Sequence, residues 1–263
     1  MTPESIIKQQ SKKILSNGLW ACTISAFLLV STCVIICASC FELVNFLFEQ
    51  VVSENNIKAF SELSLSNILF LVIGNVLCII ISLLFSVIIN GYIRFFYKAA
   101  KGQQPKISEV FHYFMSGKEF FFALNMNLRI ILYNLGWALL FFLPTIAVIA
   151  VYLIFEGVVV QAQALVVINT IASLLLLSIV NAKYFLAEPL HVENGELSAR
   201  QCLSKSKEIM KNNASKIIKL TFSFTPQLLL CLLLLPMLYV LPLLTTAQCV
   251  SSKWILESQN GEE

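Results

Sequence analysis

The chain has 263 residues, of which 58% are hydrophobic and 13% are charged, and its mean hydropathy is +0.81. A soluble domain usually carries about 25% charged residues, so this composition excludes a soluble enzyme, a nucleic-acid-binding domain and a disordered chain. Such a composition indicates a protein whose solvent is the lipid bilayer. The sequence therefore predicts topology more directly than chemistry.

Six stretches are long and apolar enough to cross a membrane as a helix, which takes ~20 residues. The first follows a basic stretch, as in a signal peptide, but its apolar run exceeds the ~7–15 residues of a signal-peptide core. We therefore expect it to be retained as a span. Together the stretches predict an all-α, polytopic transmembrane helix bundle that forms one integral membrane domain over residues 1–263. The predicted spans lie at about 19–41, 68–89, 128–152, 164–180, 217–235 and 237–256.

The apolar stretch 217–256 decides between five and six spans. It is nearly twice as long as one tilted helix can use, because ~20–25 residues already span the hydrocarbon core. Pro236 lies at its middle and suggests a tight reversal between two spans. We favour six spans, with five as the alternative.

The basic residues divide unequally between the two sides of the membrane. With six spans and the N-terminus inside, 17 of the 18 lysines and arginines lie in inner segments or at inner span ends, and Lys58 alone lies outside. This asymmetry is typical of the positive-inside rule. We therefore expect a multi-pass cell-membrane protein with a cytoplasmic N-terminus and, with six spans, a cytoplasmic C-terminus. The expected partners are anionic lipids of the inner leaflet, at ~1 kcal/mol per basic residue near the surface, rather than nucleic acid.

Two inner segments, 105–115 and 197–211, carry apolar residues at helical spacing. Basic amphipathic helices beside spans commonly lie in the membrane interface, so we expect both segments to seat on the inner leaflet. The alternative is that their apolar stripes pack on the inner ends of the spans or dock a partner. A weaker pattern before the first span suggests a threefold repeat of amphipathic helix and hairpin. In the second segment the candidate lipid-facing basic residues are Arg200, Lys205, Lys207 and Lys211.

Several short runs resemble a bacterial family of polytopic membrane proteins, domain-of-unknown-function family 975. They cover most of the chain in the same order, although the reversal at Leu235-Pro236 and the pair Pro242-Leu243 differ from the family's pattern. The resemblance implies a multi-pass plasma-membrane protein with cytoplasmic termini, and it implies no activity. The runs are Gly-Tyr-Ile-Arg at 91–94, 100–111, 135–137, 142–144, Tyr-Phe-Leu-Ala-Glu at 184–188, 204–211, 219–220 and 223–224.

Catalytic, cofactor and metal motifs are not evident. Cys33, Cys37 and Cys40 share one helical face, but a zinc site takes four ligands, and cysteine in a membrane helix packs as a small apolar residue. His112 and His191 lie outside any metal-binding or catalytic pattern. We therefore expect no metal, no cofactor and no enzymatic activity.

Polar residues within or beside the spans are the candidate contacts inside the membrane. Asparagines can satisfy one another across helix interfaces, at ~0.6–2 kcal/mol per hydrogen bond. We expect Glu188 to pair with Arg129 or Lys183 and so tie the third span to the fourth; the alternative is that each charge reaches the headgroups separately. The candidate set is Asn75, Asn90, Arg129, Asn134, Asn169, Asn181 and Glu188.

Three functions compete. A non-enzymatic membrane module, acting through helix packing, lipid contact or partner assembly, including a homo-oligomer, explains the basic amphipathic segments. A permease for a small neutral or lipidic solute would explain the asparagines and prolines, and it would need a polar cavity at mid-membrane. An enzyme acting on lipids has least support, because the sequence places no nucleophile or acid–base set at either interface. We favour the module.

Overall fold

The computed structural model describes residues 2–54, 65–154, 159–233 and 235–260, and over these residues the secondary structure is helical, with no strand. This confirms the predicted all-α fold. Short 3₁₀ helices occur at Ile107–Phe114, Ala182–Tyr184 and Cys231–Leu233. The α-helices are α1 (Pro3–Ser16), α2 (Trp20–Glu54), α3 (Leu65–Ala100), α4 (Gly117–Ile154), α5 (Val159–Asn181), α6 (Ala187–Glu193), α7 (Ala199–Ser223), α8 (Thr225–Leu230) and α9 (Met237–Asn260).

In the described part of the chain, the stretches that are long and apolar enough to cross a membrane lie in α2, α3 and α4 and in α5 with the short helices that follow it. Consecutive helices pair as two antiparallel hairpins, α2 with α3 and α4 with α5. In the first hairpin Gly74 of α3 faces Val44 of α2. The four stretches are Trp20–Gln50, Leu65–Ala100, Gly117–Ile149 and Ala164–Glu193. They contain most of each of the first four predicted spans, whereas the count of six stays a prediction.

The outer faces of these hairpins are largely uncovered by protein. On α3, the large exposed apolar residues from Leu69 to Leu84 leave 42–58% of their surface accessible. A contiguous apolar surface of this kind marks contact with lipid or with other chains. The long helices therefore have the surface of a membrane protein.

The buried core lies at one end of the long helices, where α3 ends and α4 begins. Phe95, Phe96 and Tyr97 on the last third of α3 are fully buried, and each such side chain contributes about 2–3 kcal/mol by leaving water. We call this assembly the bundled end. It comprises the last third of α3, the first turns of α4, the 3₁₀ helix Ile107–Phe114, and α1, α6, α7 and α9.

Helix α1 packs lengthwise against α9 at the bundled end. Ile7, Ser11 and Leu15, spaced four residues apart, form its buried face. Beyond its end, Trp20 at the start of α2 stacks on Tyr239 of α9, with ring centroids 4.8 Å apart. The weak amphipathic pattern of this segment is therefore a protein-packing pattern.

The segment 105–115 forms a 3₁₀ helix rather than the expected α-helix. With three residues per turn, residues three apart share a face. Val110 and Tyr113 form a buried pair of this kind, and Phe111 and Phe114 form an exposed pair. The α-helical spacing expected for the apolar stripe is therefore wrong for this segment. This 3₁₀ helix packs closely on α3, where the Val110 carbonyl lies against Gly91.

The segment 197–211 is helical as expected, within α7, but its stripe contacts protein. Ser198 caps the helix through a capping box with Gln201. Cys202, Leu203 and Met210 are buried against α4, α6 and the core of the bundled end. The stripe therefore packs on protein at the ends of the long helices and not on a leaflet, as the alternative expected. The side of the membrane that this end faces stays a prediction.

The predicted fifth span, 217–235, is not one continuous helix. Helix α7 ends at Ser223, Pro226 opens the short α8, and a 3₁₀ turn follows to Leu233. Proline suits the first turn of a new helix, because its nitrogen carries no hydrogen-bond donor. The predicted sixth span, 237–256, lies within α9.

We expect Gly91→Ala to destabilise the chain, because a Cβ at Gly91 would lie 1.9 Å from the Val110 carbonyl oxygen. Overpacking of this kind costs at least ~1–3 kcal/mol, measurable by thermal unfolding in detergent micelles. Gly136→Ala on α4 is the matched control, since a Cβ there meets no atom within 4 Å. Equal losses in the two variants would contradict the close-approach explanation.

Candidate functional site

A set of ionisable side chains meets inside the bundled end, and four elements supply it. Arg94 comes from α3, Tyr113 from the 3₁₀ helix, Glu119 from the first turn of α4, and Glu188 and His191 from α6. We call these five residues the Glu188 cluster.

Glu188 is 3% exposed, and its carboxyl group faces Tyr113. The Tyr113 hydroxyl donates a hydrogen bond to Oε1, whereas Oε2 has no partner among the described residues. Burial raises the pKa of the Tyr113 phenol above its usual value. Tyr113 therefore keeps its proton and remains the donor.

His191 links α6 to the start of α4. It is 4% exposed, and its Nε2 lies 2.9 Å from Oε2 of Glu119. The ring stacks on Phe122 with centroids 3.6 Å apart, and Nδ1 has no partner among the described residues. Glu119 and Phe122 therefore hold the imidazole in place.

Arg94 lies between Tyr113 and a second carboxylate, Glu109. Its guanidinium carbon is 5.9 Å from the Tyr113 ring centroid, within cation–π range. Glu109 accepts hydrogen bonds from Arg94 Nε at 3.4 Å and from Lys98 Nζ at 2.8 Å. Burial works to raise the pKa of Glu109, but the hydrogen bonds and charges of Lys98 and Arg94 outweigh it and lower that pKa. Glu109 is therefore a carboxylate that ties the 3₁₀ helix to α3.

These contacts make the Glu188 cluster a junction of four elements. In the described part of the chain, no group of three or more His, Cys, Asp or Glu side chains has the arrangement of a metal site. The 3₁₀ helix is tied to α6 by the buried hydrogen bond from Tyr113 to Glu188, and α4 is tied to α6 by the partly buried contact of Glu119 with His191. Arg94 brings α3 to the same place through the Tyr113 ring. Several runs of the family resemblance, 91–94, 100–111 and 184–188, lie in or next to this junction.

The predicted pairing of Glu188 with Arg129 or Lys183 is wrong. Arg129 donates instead to Oδ1 of Asn125 on its own helix, at 2.9 Å. Helix α5 ends at Asn181, and a 3₁₀ turn then leads into α6. Glu188 therefore lies inside the bundled end and not at the ends of the long helices, where the pairing was expected.

One of the predicted asparagines joins two long helices. Asn169 Nδ2 donates to Thr145 Oγ1 at 2.5 Å, which links α5 to α4. Asn75 instead donates to the Leu71 carbonyl of its own helix, at 2.9 Å.

The other three predicted asparagines are placed differently. Asn90 is buried and its Nδ2 has no partner among the described residues, and the same holds for Oδ1 of Asn134. Asn181 ends α5 without a side-chain capping bond to the following turn. The structure therefore does not join these three into a network.

The sequence analysis missed two contacts between long helices. Asn127 of α4 donates to Ser86 of α3 at 2.9 Å, and Ser173 of α5 donates to the Phe141 carbonyl of α4 at 2.8 Å. Ser86 and Asn127 are polar residues near the same end of consecutive helices, and that placement was the available signal.

The four predicted basic residues lie together on α7. All are exposed, on the side opposite the buried stripe. The described part of α7 therefore presents a basic face away from the core. These residues are Arg200, Lys205, Lys207 and Lys211.

Comparison with known proteins gives one family. A family model described as "Protein of unknown function (DUF975)" matches residues 1–258, which confirms the resemblance. No curated protein and no solved structure matches the chain.

We expect Tyr113→Phe to lower the free energy of unfolding by about 1–3 kcal/mol, because it leaves a buried carboxyl group without a hydrogen-bond donor. Thermal unfolding in micelles measures the loss. Tyr133→Phe, at a half-exposed tyrosine of α4, is the control and should change little. Adding Glu188→Leu to Tyr113→Phe should restore part of the stability, since removing both partners leaves no orphaned polar group. If Tyr113→Phe leaves the free energy of unfolding unchanged, the hydrogen bond contributes no stability.

We expect the stabilisation by Glu109 to depend on pH. Because its pKa is lowered in the folded chain, its contribution is present above the ordinary carboxyl pKa and is lost as the pH falls through the lowered value. At pH 7 the free energy of unfolding of the wild type should exceed that of Glu109→Gln by ~1 kcal/mol or less, given partial solvent screening. This gap should close below about pH 4. Unfolding over a pH series, with exposed Glu208→Gln as control, tests this. A gap that widens in acid would reverse the assigned sign.

Proposed function

The chain belongs to this family of unknown function, and we propose that it is a non-enzymatic membrane module that acts by packing its long helices against other helices and lipid. The observation that carries the proposal is that the buried core and the uncovered apolar faces lie in different parts of the molecule. The core of the protein is concentrated in the bundled end, whereas the apolar faces of α2 to α5 are left uncovered.

The two hairpins meet close to the bundled end. Val87 and Ala123 share one buried cluster there, beside the hydrogen bond from Asn127 to Ser86. Farther along α4, Leu139 and Leu143 are exposed. In lipid, helix association depends on van der Waals packing and polar contacts rather than on the hydrophobic effect. These faces are therefore available to helices of a partner or of a second copy.

The proposed orientation places the bundled end in the cytoplasm, at the plasma membrane. It rests on the basic residues, since 17 of the 18 lie in segments that this orientation puts at the inner face. The exposed basic face of α7 then lies where anionic inner-leaflet lipids attract it. Membrane lipid is thus a second partner of the module.

A photoreactive residue at Leu139 tests the assembly. In cells, we expect it to give covalent adducts with a helix of another protein chain or copy, seen as a band of higher mass. The same residue at Asn212, exposed on α7, controls for random collision and should give none. Adducts with lipid alone at Leu139 would overturn the assembly role. Solute flux through proteoliposomes of the purified chain, above that of protein-free liposomes, would favour a permease.

A further inference from the structure

A cavity of about 460 Å³ lies between α1, α7 and α9 in the bundled end. This volume is in the range of sites that hold small organic molecules. The floor of the cavity is apolar, because Ile7, Leu220 and Ile255, one from each helix, leave only 1–6% of their surface accessible. We call it the three-helix cavity.

Two hydrogen bonds fix the helices around the three-helix cavity. Lys8 Nζ on α1 donates to the Ser223 carbonyl of α7 at 2.6 Å. Gln248 Nε2 on α9 donates to Thr221 Oγ1 of α7 at 3.3 Å. Each of these four residues lies within about one helical turn of a residue that lines the cavity. The walls are therefore helices held in register, so the cavity is formed before any ligand binds.

Ser251 of α9 brings a buried hydroxyl group to the three-helix cavity. It lines the cavity and is 4% exposed, and its hydroxyl has no hydrogen-bond partner among the described residues. The neighbouring hydroxyls of α9 differ, since those of Thr245, Thr246 and Ser252 each donate to the carbonyl four residues earlier. A buried polar group without a partner costs free energy. Ser251 is therefore a hydrogen-bond donor available to a ligand.

The wall that α7 provides is positively charged. Lys216 and Lys219 line the cavity and are exposed, and neither has an ion-pair partner in the described part of the chain. Glu4 of α1 also lines the cavity, so the lining carries two positive charges against one negative charge. Lysines without a carboxylate partner bind an anionic group as point charges.

We propose that the three-helix cavity binds a phosphate monoester that carries an apolar body. Two cations and a hydroxyl donor suit a phosphate, which has nearly two negative charges and three acceptor oxygens, better than a singly charged carboxylate. The apolar body lies on the buried floor beside the ring of Trp254, which is 37% exposed. A mostly apolar cavity with a few convergent polar groups is the usual form of a small-molecule site. This site is separate from the packing faces of the proposed function.

Fluorine NMR on the full chain in nonionic micelles tests the proposal. The three tryptophans are replaced by 5-fluorotryptophan, and single Trp→Phe variants assign their resonances. Phenyl phosphate, titrated at about pH 8 so that it is doubly charged, should shift the Trp254 resonance to saturation. The resonances of Trp20 and Trp137 should stay in place. Equal shifts of all three would show partition into the micelle and would overturn the proposal.

Variants of the lining separate the charge from the hydroxyl. Lys216→Gln combined with Lys219→Gln should lower the affinity for phenyl phosphate about tenfold, as two exposed ion pairs are lost. Lys12→Gln with Lys13→Gln, at exposed positions of α1 outside the cavity, removes the same charge and should change the affinity little. Equal losses in the two double variants would overturn the site.

Ser251→Ala should lower the affinity for phenyl phosphate about threefold to tenfold, since one hydrogen bond to a charged group is lost. The melting temperature without ligand should not fall, because the hydroxyl has no protein partner to lose. A lower melting temperature with unchanged affinity would show a structural role and would overturn the assignment of Ser251 to the site.

Three further probes define the ligand. Benzyl alcohol has the ring without the charge, and inorganic phosphate has the charge without the ring. Each should bind at least about tenfold more weakly than phenyl phosphate, and equal binding of either one would overturn the proposed ligand class. Dihexanoyl phosphatidate is the lipid form of the same chemistry. Tighter binding of phosphatidate than of phenyl phosphate would support a lipid as the source of the phosphate, and the reverse order would support a soluble ester.

Discussion

The close approach of α3 to the 3₁₀ helix at Gly91 is the constraint on which the bundled end depends. The Val110 carbonyl occupies the space that any larger residue would need. One turn farther along α3, Arg94 reaches both Glu109 and the Tyr113 ring, and Tyr113 reaches Glu188 on α6. One backbone contact thus sets the distance at which the buried polar groups meet.

The sequence predicted the long helices well because their apolar length is a local property. The stripe of α7 was also legible, since Cys202, Leu203 and Met210 follow the period of an α-helix and are buried as that period requires. The partner of Glu188 could not be predicted from the sequence. It depends on the turn after Asn181, which swings α6 into the bundled end, and local charge spacing holds no information about that turn.

Helix α9 illustrates why apolarity alone does not tell what surrounds a helix. A helix that is apolar on most sides is buried either by lipid or by protein, and hydropathy is the same in both cases. In α9, Thr246 and Ser252 are buried beside Val250. Buried hydroxyls along one helix are compatible with a protein interior, where carbonyls such as those of Pro242 and Gln248 accept their hydrogen bonds.

Continuous helices connect the rigid part of the molecule to its uncovered part. Helix α3 passes without a break from exposed apolar residues to the buried Phe95 and Phe96, and α4 does so in reverse, from the buried Met126 to Leu139. Because a helix transmits position along its axis, the contacts at Gly91 and in the Glu188 cluster also fix where both hairpins point. The uncovered faces are therefore presented in a set geometry, as the proposed packing against other helices requires. A loosely tethered pair of hairpins would lack that geometry.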